Sequence, residues 1–183
     1  MNGVSYNLNS GNLCLACHRS RRNVGTYVVA LTMSNRFGPH HGPQGDMLIG
    51  SNGYEYAGYT YEQGSHALAT TTDGKDGCLE CHMKTTSQNV VGGHSFNMAT
   101  ADDAIINIGG CQNCHEGIED FDWDGVQTEI SGLIADLETL LVNAGFITMD
   151  GEAAVPNAVA VSADQAGAVY NLLLAKEDRS EGV

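Results

Sequence analysis

One pattern accounts for all six cysteines of this 183-residue chain. The cysteines form three pairs, each with two residues between its members and a histidine directly after the second cysteine. The three copies are Cys14-Leu15-Ala16-Cys17-His18, Cys78-Leu79-Glu80-Cys81-His82 and Cys111-Gln112-Asn113-Cys114-His115. Such strict spacing indicates that each cysteine pair and its histidine bind one chemical group, and the fold must be arranged around these groups.

The spacing within each copy matches the chemistry of covalent haem attachment. Two thiols three positions apart can reach the two vinyl groups on one porphyrin edge, and the next residue then lies under the ring as a proximal iron ligand. A zinc ribbon pairs two Cys-x-x-Cys units, so three units leave one unpaired. A thioredoxin-like dithiol needs a βαβ context, which is absent here. The sequence therefore predicts three haem c groups per chain, with thioether bonds at Cys14, Cys17, Cys78, Cys81, Cys111 and Cys114 and proximal ligands His18, His82 and His115.

These motifs make the chain resemble the multihaem c-type cytochromes of bacteria and archaea. Less specific stretches add to the resemblance, namely Phe37 to Gln44, Gly92 to Phe96 and the tail from Tyr170 to Val183. The resemblance implies an extracytoplasmic electron-transfer protein with a periplasmic, cell-surface or extracellular location. The polar start of the chain lacks the apolar region of a signal peptide, so we expect a mature or trimmed form. In similar proteins the tail continues into a histidine-containing segment.

The remaining histidines are candidates for the second axial position on each iron. Three six-coordinate haems need three distal ligands, and four are available: His40, His41, His66 and His94. Adjacent residues point in different directions, so His40 and His41 cannot both bind one iron in regular backbone. Either they bind two different haems, or one is a ligand and the other contacts a propionate. The sequence does not assign a distal histidine to a particular iron.

Methionine is the competing sixth ligand, and Met33, Met47, Met83 and Met98 are available. Because methionine more often serves packing and spare histidines are plentiful, bis-histidine ligation is favoured. Replacing a thioether by an imidazole lowers the reduction potential, so three low-potential haems are expected.

The charge of the chain constrains its partners. Eight Lys and Arg residues against 22 Asp and Glu give a formal charge of −14, which argues against nucleic acid and anionic membrane surfaces. No apolar stretch is long enough for a transmembrane helix, so no membrane insertion is expected. Arg19, Arg21 and Arg22 follow the first motif. They either pair with haem propionates or form a solvated basic patch.

The predicted fold is mainly irregular, with short α-helices organised around haems, little β structure and a C-terminal α-helical hairpin. Residues 1–120 form a triheme-binding region, and residues 121–183 form the hairpin or cap, cut short at its C-terminus. Apolar periodicity predicts helices over residues 126–144 and 163–176. A short helix is also predicted at residues 100–107, with Thr100 as N-cap.

Two further segments carry weaker patterns. Alternating tyrosines at residues 54–61 suggest extended structure, or a short hairpin, packed against porphyrin faces. Residues 120–125 resemble the start of a calcium loop, but Ser131 stands where the EF-hand pattern needs glutamate. This acidic run is better explained as a loop and helix N-terminus.

Two functions of different classes follow from these residues. The first is electron transfer through three closely packed bis-histidine haems, without enzyme activity. The partners would be other cytochromes or redox proteins, and in one version further copies of the chain in a polymeric or multi-subunit extracellular conduit. The alternative is a multihaem reductase of nitrite, hydroxylamine or a sulfur oxyanion, which needs one haem with an open face.

Overall fold

The computed structural model describes residues 3–67 and 75–180. In these ranges the regular structure consists of short helices, two long helices and four small strands. The helices are α1 (Asn12–Leu15), α2 (Val24–Tyr27), α3 (Gln44–Leu48), α4 (Cys78–His82), α5 (Val126–Asn143) and α6 (Ala163–Asp178). Single 3₁₀ turns lie at Asn9–Gly11, Gly93–Ser95, Cys111–Asn113 and Trp123–Gly125. The strands are β1 (Leu31–Thr32), β2 (Ile147–Asp150), β3 (Ala153–Pro156) and β4 (Ala160–Val161). No helix in these two ranges combines the length and apolar character needed to cross a bilayer.

The two long helices, α5 and α6, begin and end close to the positions that the apolar periodicity predicts. The Ser162 hydroxyl accepts a hydrogen bond from the Gln165 backbone amide, and the Gln165 side-chain oxygen accepts one from the Ser162 backbone amide, forming a capping box at the start of α6. At the start of α5, the Asp122 carboxylate accepts hydrogen bonds from the backbone and hydroxyl of Thr128. This contact gives the acidic run before α5 a capping role.

A β-hairpin separates the two long helices. Strands β2 and β3 pair antiparallel from Ile147 opposite Pro156 to Asp150 opposite Ala153. The next strand, β4, pairs antiparallel with β1, which places Val161 opposite Leu31. The connection predicted as a plain helical hairpin therefore contains strand structure, and it joins the C-terminal segment to the N-terminal one.

The main apolar core surrounds α6. Tyr170 has no exposed surface, and its ring meets the rings of Tyr27 and Phe37 edge to face at centroid distances of 6.2 and 6.4 Å. The same cluster of buried side chains contains Val28 and Met33 from the N-terminal segment and Leu141, Ile147, Val161, Val169, Leu172, Leu173 and Leu174 from the C-terminal one. Residues before and after the second and third motifs thus share one core.

The region that carries the second and third motifs has few buried apolar side chains of its own. Among the described residues between 75 and 120, these are Val91 and Ile118. A segment with so little apolar burial gains little from the hydrophobic effect alone. Its organisation depends on backbone hydrogen bonds, glycine contacts and whatever group the cysteines hold.

The helix predicted at residues 100–107 is wrong. This segment is a loop closed by an antiparallel bridge between Ala99 and Ile106, with Asp103 in the left-handed region at φ 53°. The Thr100 hydroxyl donates to Asp102 Oδ1 at 2.7 Å and accepts from the Ile105 amide at 3.1 Å. Thr100 and Asp102 therefore stabilise a turn, and such local side-chain hydrogen bonds compete with helix formation.

The tyrosine segment forms a turn at Ala57 and Gly58, without the flanking strands of a hairpin among its described residues. Two of its side chains bind the start of α6: the Tyr54 hydroxyl donates to the Asp164 carboxylate at 2.7 Å, and the Tyr56 hydroxyl donates to the Asp164 carbonyl at 3.2 Å. Tyr59 and Tyr61 are exposed. Packing against porphyrin faces stays a prediction for these last two side chains.

We expect the stability of the fold to fall above pH 10 because of Tyr170. Its hydroxyl contacts Ser20 Oγ at 3.2 Å and accepts from Asn52 Nδ2 at 3.1 Å, and burial raises the pKa of Tyr170 to about 12. The unfolded chain releases this proton near pH 10 while the folded chain keeps it. Stability is therefore complete below pH 10 and declines between pH 10 and 12, by about 3 kcal/mol in total.

Urea unfolding of the native protein and of Tyr170→Phe at pH 8, 10 and 11.5 measures this effect. At pH 8 the variant should be less stable by about 1 kcal/mol, because it loses the hydroxyl contacts. At pH 11.5 the native protein should lose that advantage, since the phenylalanine does not titrate. A constant difference between the two proteins across this range would contradict the assignment.

Candidate functional site

Each Cys-x-x-Cys-His motif folds as a single helical turn. The His18 amide donates to the Cys14 carbonyl at 2.9 Å, and the His115 amide donates to the Cys111 carbonyl at 2.9 Å. The second motif forms α4. Residues four apart lie on one face of a helical turn, so each turn presents its first cysteine and its histidine on the same side. A group bonded to the cysteines would lie over the imidazole.

The cysteine side chains are accessible to such a group. Cys17 and Cys114 are exposed, the other four are half-buried, and all six thiols are free. Shallow cavities of about 280 and 270 Å³ flank the second and first motifs, respectively. Arg19 and Arg21 line the cavity of the first motif. Arg22 instead lies over the Tyr27 ring, 4.9 Å from its centroid.

The first and second motifs meet at Gly11. A Cβ atom at this position would lie 2.7 Å from the Asp76 carbonyl oxygen and 3.2 Å from the Cys78 nitrogen, so only glycine allows the approach. Burial, and then the nearby Cys14, raises the pKa of the Cys78 thiol.

The second and third motifs meet at Gly110 in a similar way. A Cβ atom here would lie 3.0 Å from the Glu80 carbonyl oxygen and 3.1 Å from the Cys81 Cα atom. Burial raises the pKa of the Cys81 thiol, and neighbouring Cys111 raises it further. The second motif therefore touches both of the others, at Gly11 and at Gly110.

Two of the predicted proximal histidines have one ring nitrogen engaged by the protein. His18 Nδ1 lies 2.9 Å from Gln44 Oε1, and His82 Nδ1 lies 2.7 Å from the Phe96 carbonyl oxygen. Both oxygens can only accept, so the imidazoles donate through Nδ1. Metal-ligating histidines characteristically use their second nitrogen in this way, which fixes the tautomer and leaves Nε2 for the metal.

The first motif is tied through Gln44 to the C-terminal end of α6. The Gln44 amide donates to the carbonyls of Glu177 and Asp178 at 3.3 and 3.0 Å. The Glu177 carboxylate in turn lies 2.6 Å from His41 Nδ1, although the His41 side chain is 82% exposed. His40, which has φ 77°, places its Nδ1 3.3 Å from the His41 carbonyl oxygen. The adjacent histidines thus lie in the neighbourhood of His18.

The other two spare histidines lie beside different motifs. His94 is in the 3₁₀ turn Gly93–Ser95, two residues before the Phe96 carbonyl that accepts from His82. His66 lies beside His115, with 6.0 Å between the ring centroids and 68° between the ring planes. Trp123 contacts the His115 ring at 5.0 Å. Each predicted proximal histidine therefore has at least one spare histidine in its surroundings.

These residues fit haem c. Each turn offers two accessible thiols and an imidazole on one side, and two of the three imidazoles are oriented through Nδ1. Within the described ranges, no group of three or more His, Cys, Asp or Glu side chains converges as a site for a single metal ion.

The sequence analysis did not identify four residues that shape these sites. Gln44, Glu177 and the Phe96 carbonyl orient histidines, and Trp123 packs on His115. Gln44 lies in the glycine- and proline-rich stretch that contains the adjacent histidines, which was a usable signal. Glu177 is separated from His41 by 136 residues, and no local pattern connects the two.

We predict that the two junction glycines are required for stability. Alanine at Gly11 or Gly110 must displace backbone of the second motif, which should lower the free energy of unfolding by about 1–3 kcal/mol. Gly132 in α5 is the matched control, since a Cβ there meets nothing within 4 Å, and alanine should stabilise that helix by roughly 0.5–1 kcal/mol. Guanidinium unfolding of the native protein and the three variants tests this. Equal effects at all three positions would contradict the close approach of the motifs.

Comparison with known proteins places these motifs in a wider context. No protein-family model matches the chain, and no solved structure matches it. The chain is 29% identical over 154 residues to the C-type polyheme cytochrome OmcC of Geobacter sulfurreducens, an alignment that covers 75% of this chain and 19% of OmcC. It is 28% identical over 154 residues to the C-type polyheme cytochrome OmcB of the same species, covering 75% of this chain and 20% of OmcB. The chain thus spans about a fifth of the length of these relatives. This distant homology supports a relationship to the multihaem c-type cytochromes.

Proposed function

We propose that the chain holds three haem c groups with bis-histidine ligation and passes electrons between other redox proteins. The observation that carries the proposal is the contact of the second motif turn with both of the others, at Gly11 and Gly110, which would arrange the three haems in a row in chain order. Porphyrin edges bonded to neighbouring cysteines lie close together, which favours electron exchange between them. The distant homology to polyheme cytochromes agrees with this function.

The middle position in the row belongs to the haem of the second motif. Gly11 brings the first turn against one end of α4, and Gly110 brings the third turn against the other. Haem order along the path then follows the order of motifs in the chain. An electron entering at the first or third haem reaches the opposite end through the second.

Histidine supply favours a carrier over an enzyme. Iron with imidazole on both faces has no vacant position for a substrate and has a lower potential than iron with an axial methionine. Seven histidines cover three proximal and three distal positions with one to spare. Glu177, Gln44 and the Phe96 carbonyl orient three of these rings. A reductase would need one of these faces left open.

The partners and location follow from the same chemistry. Haem is attached to c-type cytochromes outside the bacterial cytoplasm, so we assign the chain an extracytoplasmic location. A formal charge of −14 favours redox partners with a basic docking surface. Assembly with further copies of the chain into a polymeric conduit stays a prediction. Electron microscopy of native material tests it directly. A conduit gives filaments, whereas a discrete carrier gives uniform small particles.

Spin state and ligand binding separate the carrier from the reductase. Ferric spectra of the native protein should show low-spin haem throughout, and all three haems should titrate at low potential. Carbon monoxide should not bind the reduced protein, and nitrite, hydroxylamine and sulfite should not oxidise it catalytically. A high-spin haem together with turnover of one of these substrates would overturn the carrier function in favour of the reductase.

A further inference from the structure

Proximity in the sequence does not explain the contact between His66 and His115. The two residues are 49 positions apart, and His66 lies in a helical turn at residues 65–67 with its side chain exposed. Its neighbour Ala67 is completely buried and anchors this turn. The exposed His66 ring lies beside the predicted proximal histidine of the third motif.

The distance between the two rings matches the spacing of two axial ligands on one iron. Metal–imidazole bonds are about 2 Å long, and with the ring centre roughly 1 Å beyond each nitrogen, the two centroids lie about 6 Å apart. The measured separation is 6.0 Å. Imidazoles can rotate about the metal–nitrogen bond, so the 68° angle between the ring planes is compatible with this arrangement.

The remaining spare histidines occupy different surroundings. His41 is held by Glu177, beside Gln44, which accepts from the Nδ1 side of His18. His94 precedes the carbonyl that accepts from the Nδ1 side of His82. Both regions therefore lie on the Nδ1 side of a predicted proximal ring, whereas an iron would bind the Nε2 side. His66 is the spare histidine whose ring lies directly against a proximal ring.

We propose that His66 is the distal ligand of the haem bound by Cys111 and Cys114, opposite His115. This assignment rests on the proposed function, because it requires a haem with two imidazole ligands at the third motif. Trp123, whose ring centroid is 5.0 Å from that of His115, packs against the proximal ligand and limits its movement. The competing explanation is an ordinary aromatic pair, for which 6.0 Å is also a normal separation.

Removing His66 from the haem-loaded protein distinguishes the two explanations. In His66→Ala, one of the three haems should change from low-spin to high-spin in the ferric visible and electron paramagnetic resonance spectra, and added imidazole should restore it. In His66→Met all haems should stay six-coordinate, and one potential should rise because a thioether replaces an imidazole. The methionine variant keeps the test valid if the alanine variant does not fold.

Double variants identify which haem is affected. With Cys111→Ala and Cys114→Ala removing the third haem, His66→Ala should leave the remaining two haems low-spin. With Cys14→Ala and Cys17→Ala removing the first haem, His66→Ala should still produce one high-spin haem. Unchanged spectra and potentials in both single His66 variants, or a high-spin haem that persists without the third motif, would overturn the assignment. Failure of the proposed function is seen separately, as missing haem mass or high-spin haem in the unmodified protein.

Discussion

Loss of the second haem should leave the first and third haems without measurable redox interaction, whereas loss of either terminal haem should leave an interacting pair. The three variants are Cys78→Ala with Cys81→Ala, Cys14→Ala with Cys17→Ala, and Cys111→Ala with Cys114→Ala. The reason is the row of motif turns, in which α4 contacts both neighbours through Gly11 and Gly110. The second haem is the common neighbour of the other two.

The size of this effect follows from simple electrostatics. Two unit charges on the order of 10 Å apart, at an effective dielectric constant of 20, interact by about 1.7 kcal/mol. This energy corresponds to about 70 mV per electron. At twice that distance the interaction is halved before salt screening, and salt reduces it further. Adjacent haems should thus shift each other's potentials clearly, and the two terminal haems should not.

Redox titrations of the three variants, followed in the visible spectrum, measure these interactions. Mass spectrometry first confirms that each variant retains two haems. Electron paramagnetic resonance adds an independent measure, since spin coupling broadens the signals of neighbouring ferric haems. The chain-order arrangement would be contradicted if the two remaining haems still interact after the second haem is removed, but no longer interact after the first or the third is removed.

We expect His41 to be an iron ligand, and we expect Glu177 to set part of the reduction potential of the haem that His41 binds. The Glu177 carboxylate oxygen lies 2.6 Å from His41 Nδ1, which orients the ring and leaves Nε2 for an iron. In His41→Ala, one haem should become high-spin. In Glu177→Gln, all haems should stay low-spin, but one potential should rise by roughly 40 mV, because the ferric state loses about 1 kcal/mol of charge-assisted hydrogen bonding.

Two neighbouring residues serve as controls. Glu138 pairs at 2.7 Å with Lys176, the residue before Glu177. Among the described residues Glu138 has no contact to a histidine ring, so Glu138→Gln should leave all haem potentials unchanged. His40→Ala resolves the alternatives for the adjacent pair: a second high-spin haem means that both histidines are ligands. Low-spin spectra in His41→Ala, or equal potentials in the two glutamine variants, would exclude His41 as a ligand.

Local sequence signals predicted the elements that depend on local chemistry. The three motifs identified every cysteine turn, and apolar periodicity placed α5 and α6 to within a residue or two. Two leucines of the apolar pattern in α5, Leu133 and Leu140, have side chains that are 56% and 65% exposed. Periodicity describes a stripe on a helix, and the packing partner decides which part of that stripe is covered.

The β-hairpin between the long helices was predictable in principle. The two-residue turn Gly151-Glu152 joins two strands with β-branched and apolar residues, and glycine at the first turn position is favoured in tight hairpins. The helix predicted at residues 100–107 failed for the opposite reason. Thr100 was interpreted as a helix cap, but its hydroxyl closes a turn with Asp102 and Ile105.

Contacts between distant parts of the chain could not be predicted from the sequence. Gln44 meets the end of α6 across more than a hundred residues, and Gly11 and Gly110 look like ordinary loop glycines until their neighbours are known. These contacts decide which motif lies beside which and how the histidines are oriented. They depend on tertiary packing, for which a single sequence carries no periodic signal.

Intact-mass spectrometry of the native protein under denaturing conditions detects covalently bound haem, because thioether-bound haem remains attached when the chain unfolds. We expect the mass of the polypeptide plus three haems. A mass equal to the bare polypeptide, or one that shows disulfides or zinc in place of haem, would contradict this expectation.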